Sequence, residues 1–301
     1  MSPVDSEPQP LPAVSRTAVW TAQLRADESR LARPCVIDSW AAEFVAAAGP
    51  VGPLPGGPEA RAFLHDGVAV RSRYFDEYLL DAVRGGCSQV VLLGAGLDAR
   101  AFRLPWARPV DVFEVDLPDL LDFKNRVVGG RVPATARRVT VAADLRDAWA
   151  DALTAAGFDP GRRTAWLCEG TLAYLEPDQA DMVVRTMAAN SPPGSEVGAE
   201  NATSLDRLGC LSSCRDALSA DGAPWQWSLR DPGAWWAERG WHTAAPSMSL
   251  PYVAERLTRY LPMLREAGDM GGWLLTGTRR ENHPAGETEE PLSGTKRRAG
   301  C

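Results

Sequence analysis

The sequence predicts an α/β fold, a doubly wound and mostly parallel sheet, and three observations carry that prediction. Short apolar runs rich in β-branched residues recur at Val90–Leu93 (VVLL), Val110–Val115 (VDVFEV), Val139–Ala143 (VTVAA) and Ala165–Cys168 (AWLC). Helix-like segments lie between them, 147–153 and 177–189, the second opening on proline as a first helical turn does. Strand alternating with helix over about a hundred residues is the pattern of a parallel sheet covered on both faces.

Taken in order, residues 1–15 form a polar, proline-rich tail, and 281–301 form a second polar tail; both are expected to be disordered. Between them, 16–280 reads as a single domain with a helical cap over 16–70, a core over 71–280 and an insertion near 202–241. In the cap, TAVWTAQLRADESRLARP and IDSWAAEFVAAAG read as two helices split by Pro34, followed by an irregular loop, PVGPLPGGP. Next, Tyr74, Phe75, Tyr78, Leu79, Ala82 and Val83 repeat at helical spacing, and Gly85-Gly86 closes that helix. Ser195–Glu200 and Gly272–Thr278 are the remaining strand candidates.

Composition narrows the function classes. A net charge of −7 is the wrong footprint for nucleic-acid binding. No apolar stretch approaches the roughly twenty residues of a membrane span. The first residues, MSPVDSEPQPLPAV, carry neither a basic nor an apolar signal region, so a cytoplasmic location is expected. Six scattered cysteines and three isolated histidines show no metal-ligand spacing, so no metal is expected and the thiols read as reduced.

The chemistry concentrates in VVLLGAGLDARAF. Gly94 allows a tight turn off the strand, and Gly96 lets the backbone approach a ligand that a side chain would push away. Asp116 ends the next strand, about twenty residues on, where an acid holds a ribose hydroxyl pair; Glu114 is the second candidate. An adenosine-containing ligand fits this pattern, and two kinds remain open. A dinucleotide needs a helix N-terminus for its pyrophosphate, and Ala99 completes G-x-G-x-x-A, but RAFRLPWARP is interrupted by Pro105. S-Adenosylmethionine needs a partner for its carboxylate instead, and an arginine fork supplies one. Arg71 lies about 21 Å of helix before Gly85, and the strand returns roughly 17 Å, which brings Arg71 beside Gly94.

RSRYFDEYLLDAV, VVLLGAGLDARAFRLPW, VFEVDLPDLLDFK and CEGTLAYLEPDQ, in that order, resemble the leucine carboxyl methyltransferase family and its bacterial relatives that act on small metabolites. The resemblance covers about residues 15–190. It implies a seven-stranded Rossmann-like sheet with extra N-terminal helices forming a lid, and S-adenosylmethionine as cofactor, leaving as S-adenosylhomocysteine. It also implies that Arg71 grips the methionine carboxylate, Gly94 and Gly96 pass under the cofactor, and Asp116 binds ribose. By the same resemblance Asp144 and Leu145 meet the adenine, Glu169 meets the ammonium, and Tyr174 points toward the acceptor. Two departures touch the acceptor side: Asp38-Ser39-Trp40 where relatives place a proline after the aspartate, and Thr171 and Ala173 where bulkier apolar residues are usual.

Eleven tryptophans hint at the acceptor, and Trp225, Trp227, Trp235, Trp236 and Trp241 crowd into one stretch. Aromatic walls suit a flat aromatic molecule, so Trp40, Trp225, Trp227 and Trp236 are the substrate-binding candidates. Tyr174, His242 and Asp38 are the candidate catalytic groups. The resulting expectation is a methyltransferase of specialised metabolism, monomeric or homodimeric, acting on a carboxylate, a phenol or an electron-rich ring carbon. An NAD(P)-dependent oxidoreductase and a non-catalytic binding protein of the same fold stand as alternatives.

Overall fold

Strand β1 (Gln89–Leu93) is buried along its whole length, and its side chains alternate between two cores. Val90 and Leu92 join one, and Val91 and Leu93 join the other. That alternation follows from the two-residue period of a strand, so an unbroken apolar run means helices on both faces. The computed structural model describes residues 13–202, 211–220, 222–226, 228–229, 231–243, 253, 257–260 and 272–279. Nearly all of both tails, parts of the 202–241 insertion and Trp227 lie outside them.

The sheet has seven strands in the order β3-β2-β1-β4-β5-β7-β6, and they are β1, β2 (Val110–Asp116), β3 (Ala136–Ala142), β4 (Thr164–Cys168), β5 (Glu196–Ala202), β6 (Trp241–Thr243) and β7 (Gly272–Arg279). The first five run parallel, and β7 is antiparallel to both of its neighbours, β5 and β6. All six strand candidates of the sequence are present, with ends that coincide or shift by up to three residues. The seventh, β6, is three residues long and carries no strand-length apolar run.

On one face lies α3 (Gly57–Arg84), which starts well before the predicted periodic segment and runs unbroken through residue 70, the expected cap boundary. Its Phe75, Tyr78, Leu79, Ala82 and Val83 join the core that holds Val90, Leu92, Ala165 and Leu167, with the helix lying against β4, β5 and β7. Gly198 on β5 admits the Tyr78 ring, because a Cβ there would come within 2.6 Å of it. The Tyr78 hydroxyl then donates to the Trp166 carbonyl at 3.1 Å. The opposite face is covered by α6 (Trp149–Ala155) and α7 (Pro177–Ala189), which bring Trp149, Leu153, Val183, Val184 and Met187 against β2 and β4.

Helices α1 (Ala13–Ser29) and α2 (Ser39–Ala48) pack with α5 (Pro118–Val128) through Val19, Phe44, Leu120 and Phe123. No helix of the described residues is long and apolar enough to cross a membrane.

Candidate active site

The carboxyl ends of β1, β2, β4 and β5 open into one cavity of about 450 Å³, walled on its far side by α1, α3 and α8 (Ser212–Ala220). This is where a doubly wound sheet binds ligands. Arg71, Gly94, Gly96, Asp116, Asp144, Leu145 and Glu169 all line it, as do Tyr174 and Trp225.

The glycine loop is built as a left-handed turn. Gly94 has φ +65° and Gly96 φ +47°, a region that glycine enters without strain. The Gly94 amide donates to the Val115 carbonyl at 2.9 Å, tying the loop to β2. Thr171 packs directly on Gly94, where a Cβ would come within 2.5 Å of its hydroxyl oxygen. The Thr171 hydroxyl donates to the Leu93 carbonyl at 2.9 Å. The departure at Thr171 therefore serves the loop.

Asp116 receives the Gly96 amide on Oδ2 at 2.6 Å and the Leu117 amide on Oδ1 at 2.7 Å. Burial raises its pKa above the ordinary aspartate value, and these two amides work against that rise. Each oxygen keeps a lone pair for a further donor. Asp144 lines the cavity with both oxygens on Arg146, at 2.9 Å from Nε and 2.5 Å from Nη2, and the bond from Arg146 lowers its pKa.

At the other end stands an ion network. Arg71 donates from Nε to Glu169 Oε1 at 3.0 Å and from Nη1 to Glu200 Oε2 at 2.6 Å. Glu169 Oε2 lies 2.7 Å from Arg100 Nη1. Arg100 also meets Asp98, and its Nε donates to Asp76 at 2.7 Å. Burial alone would raise the Asp98 pKa, but Arg100 and Arg103 outweigh it and hold the carboxyl down at about 2.

The sequence did not single out Glu200, Arg100 or Asp98 as site residues. Glu200 carried a signal, an acid near the carboxyl end of a strand candidate. Arg100 and Asp98 stood in the glycine loop itself, and their mutual pairing depends on a turn that spacing does not show.

Six candidates sit elsewhere or outside the description. Glu114 is fully buried away from the cavity, with Oε2 2.8 Å from Lys124 Nζ and 2.7 Å from Arg138 Nη2. Asp38 is the N-cap of α2, accepting the Trp40 and Ala41 amides at 3.1 Å and paired with Arg25 Nε at 2.8 Å. It holds two helices together and does not line the cavity. Trp40 packs against Phe102 with ring centres 4.6 Å apart and planes tilted by 41°, beneath the Arg131 guanidinium. Trp236 is wholly buried in the sheet core from α9 (Pro232–Ala237), and Trp235 packs edge-on against it. His242 is exposed on the edge strand β6, away from the cavity lining. Trp227 lies outside the described residues.

Of the predicted substrate-binding tryptophans, Trp225 is the one among the described residues that lines the cavity, where Trp20 of α1 joins it, and it is fixed there. Its neighbour Gln226 donates from the amide to the Ala173 carbonyl at 2.7 Å and from Nε2 to the Tyr174 carbonyl at 2.8 Å. The Tyr174 hydroxyl hydrogen-bonds Trp225 and Thr17. Burial raises the Tyr174 pKa further above that of ordinary tyrosine, so the phenol stays protonated at neutral pH.

The short α4 (Arg100–Arg103) decides against the dinucleotide alternative. It has four residues, an N-cap residue, Ala99, with no polar side chain, and the acid Asp98 before its first turn. A pyrophosphate needs free amides at a helix N-terminus, and here Asp98 already accepts the Arg100 amide at 2.6 Å.

Residues 18–188 match the family model described as leucine carboxyl methyltransferase. The chain belongs to the leucine carboxyl methyltransferase family. As a member, it is an S-adenosylmethionine-dependent methyltransferase. It is 36% identical over 291 residues to a protein of Mycobacterium marinum named "Putative S-adenosyl-L-methionine-dependent methyltransferase", spanning 88% of this chain and 82% of that one. A similarly named relative in Parafrankia is 40% identical over 261 residues, covering 83% of each. Among solved structures, a DUF574 family protein from Streptomyces avermitilis superposes with a TM-score of 0.59 at 14% identity, over 87% of this chain and 97% of that one. That likeness shows the fold of the family member. Its described residues contain no group of three or more His, Cys, Asp or Glu side chains placed to hold a metal ion.

Proposed function

We propose that this methyltransferase esterifies a carboxylate on a small, largely apolar and aromatic metabolite of specialised metabolism, working in the cytoplasm without a metal. The observation that carries the reading is that one cavity is lined both by charged groups at the strand ends and by an apolar cluster from α1, α3, α8 and Trp225. The charged lining offers Arg71, Glu169 and Asp116, with the glycine loop. The apolar lining includes Trp20, Leu24, Phe63, Leu64, Leu218 and Trp225.

The charged lining fits S-adenosylmethionine on the chain's own terms. Gly96 carries no side chain, and a Cβ there would meet nothing closer than the Ala18 methyl at 3.4 Å, so an adenosine can approach the backbone at that point. Asp116 has open lone pairs for ribose hydroxyls, with Asp144 and Leu145 flanking the base. Arg71 and Glu169 offer one charge of each sign to a zwitterionic amino-acid end. When bound, the cofactor supplies an activated methyl carbon on a sulfonium.

The chain's remaining task is to orient the acceptor and exclude water. No described residue lining the cavity is a histidine or lysine, and the five acids lining it are each engaged by arginine or backbone amides. A base-free site favours an acceptor that is already nucleophilic. A carboxylate is ionised at neutral pH, whereas a phenol near pKa 10 wants a base. Tyr174, protonated and held by Trp225 and Thr17, serves as a hydrogen-bond donor to the acceptor oxygen.

The test is to incubate the protein with methyl-labelled S-adenosylmethionine and a panel of aromatic acids, phenols and indoles, then treat the products with mild base. Label released as methanol marks an ester and supports the reading. Base-stable label, as an aryl ether or a C-methyl group, overturns the carboxylate assignment and leaves the methyltransferase standing.

A further inference from the structure

Three elements meet at the amino-acid end of the cavity: α3 brings Arg71, the segment after β4 brings Glu169, and β5 brings Glu200. Arg71 is pinned twice, at Nε by Glu169 and at Nη1 by Glu200. Its Nη2 packs on Gly170, whose φ is +65° and where a Cβ would stand 3.2 Å away. A guanidinium carries five N–H donors in a rigid plane, so fixing Nε and Nη1 also fixes the direction of the Nη2 hydrogens.

Beside it on α3, Ser72 lines the same cavity while only 1% exposed. Its hydroxyl has no hydrogen-bond partner in the structure, although its carbonyl accepts Arg100 Nη2 at 3.2 Å. A buried hydroxyl left unpaired is costly, and such groups are satisfied in nearly all native proteins. The position next to Arg71 points to a polar group of the ligand as the missing partner.

We propose, resting on the cofactor reading above, that Glu200 and Ser72 complete the port for the amino-acid end of the cofactor. Glu200 is a positioning residue that holds the Arg71 fork toward the incoming carboxylate. Ser72 is a binding residue whose hydroxyl bonds that same end. The ordering of a long side chain is then done before the ligand arrives, which favours affinity. Both effects are confined to the amino-acid end, so a ligand without that end is blind to them.

Calorimetry with two probes separates this role from general structural support. S-Adenosylhomocysteine carries the amino-acid end, and 5′-methylthioadenosine shares its adenosine and thioether but lacks it. Glu200→Ala is expected to weaken S-adenosylhomocysteine about tenfold or more, with 5′-methylthioadenosine held within about twofold. Glu200→Gln, still able to accept from Arg71, recovers most of that loss, leaving about threefold. Ser72→Ala weakens S-adenosylhomocysteine alone, by about fivefold. Should Glu200→Ala fail to fold, the ratio between the probes is read from Glu200→Gln and Ser72→Ala, which keep the local volume. Equal losses on both probes, or tighter S-adenosylhomocysteine binding in a Glu200 variant, overturn the proposal. Wild-type binding with no change in any variant overturns it while sparing the cofactor reading. A wild-type protein that binds neither probe overturns both.

Discussion

Asp116 Oδ2 accepts the Gly96 amide at 2.6 Å, and that bond, with the Gly94 amide on the Val115 carbonyl at 2.9 Å, joins the end of β2 to the loop after β1. The acid and the glycine turn are therefore a single unit, although twenty positions separate them in the chain. A residue that binds ligand also shapes the loop that binds ligand. Substitutions here act on stability and affinity together, and the two effects need separate measurement.

Asp116→Ala strips the acceptor from two amides in a buried place. The expected cost is about 1–3 kcal/mol of folding stability, measured by urea denaturation. Affinity for S-adenosylhomocysteine is expected to fall by more than about tenfold, read by calorimetry at a temperature where the variant is fully folded. A variant that loses stability while keeping wild-type affinity would remove Asp116 from the binding site.

Gly94→Ala meets two obstacles, a φ of +65° and a Cβ position 2.5 Å from the Thr171 hydroxyl oxygen. The backbone part costs about 1–2 kcal/mol, and overpacking adds about 1–3 kcal/mol. Adding Thr171→Ala removes the two closest atoms and recovers much of the second part. A double-mutant cycle in urea should return a coupling of about 1 kcal/mol or more; strict additivity would show that Thr171 does not press on the loop.

Asp98 gives a pH dependence with a defined sign. Its folded-state pKa lies at about 2, below its ordinary value of 3.8, because Arg100 and Arg103 overcome the effect of burial. A depressed acid contributes stability above its unfolded pKa and loses it as pH falls through the folded value. Asp98→Asn is therefore expected to cost about 2 kcal/mol at pH 7. The gap between variant and wild type narrows by about half at pH 3. Denaturant titrations of both proteins at the two pH values test it, and a gap independent of pH would refute the ion-pair account.

The strands were legible because a buried parallel sheet leaves apolar runs whose only interruption is the next turn. The cofactor side was legible for a related reason: Gly94, Gly96 and Asp116 sit where strands end, at spacings set by strand and helix lengths. Glu114 shows the limit. It shares a strand with Asp116 two places away, and what takes it from the cavity is the pair Lys124 and Arg138, on α5 and β3. Pairing across three elements leaves no trace in local spacing. Tryptophan was misleading for the opposite reason, since Trp236 and Trp225 look alike in sequence and only packing separates a core ring from a cavity wall. Helix α5 was missed despite Pro118 at its first turn and Leu120, Leu121 and Val128 on its buried side. Asp38 also carried a readable alternative, an aspartate directly before a helix, which is an N-cap signal.

Tyr174 separates the two chemistries left for the acceptor. A base would have to lose its proton in the working pH range, yet burial moves this phenol the other way, above the ordinary tyrosine pKa. Its bonds to Trp225 and Thr17 leave it as a fixed donor in the lining of the cavity. Tyr174→Phe is thus expected to lower kcat/KM for a carboxylate acceptor by about tenfold. Affinity for S-adenosylhomocysteine should stay within about twofold. The wild-type pH–rate profile should be flat from about pH 6 to 9, because a carboxylate is already ionised and the tyrosine still protonated across that range. A rate that climbs with pH in the wild type and loses the climb in Tyr174→Phe would make Tyr174 the base and shift the acceptor to a phenol.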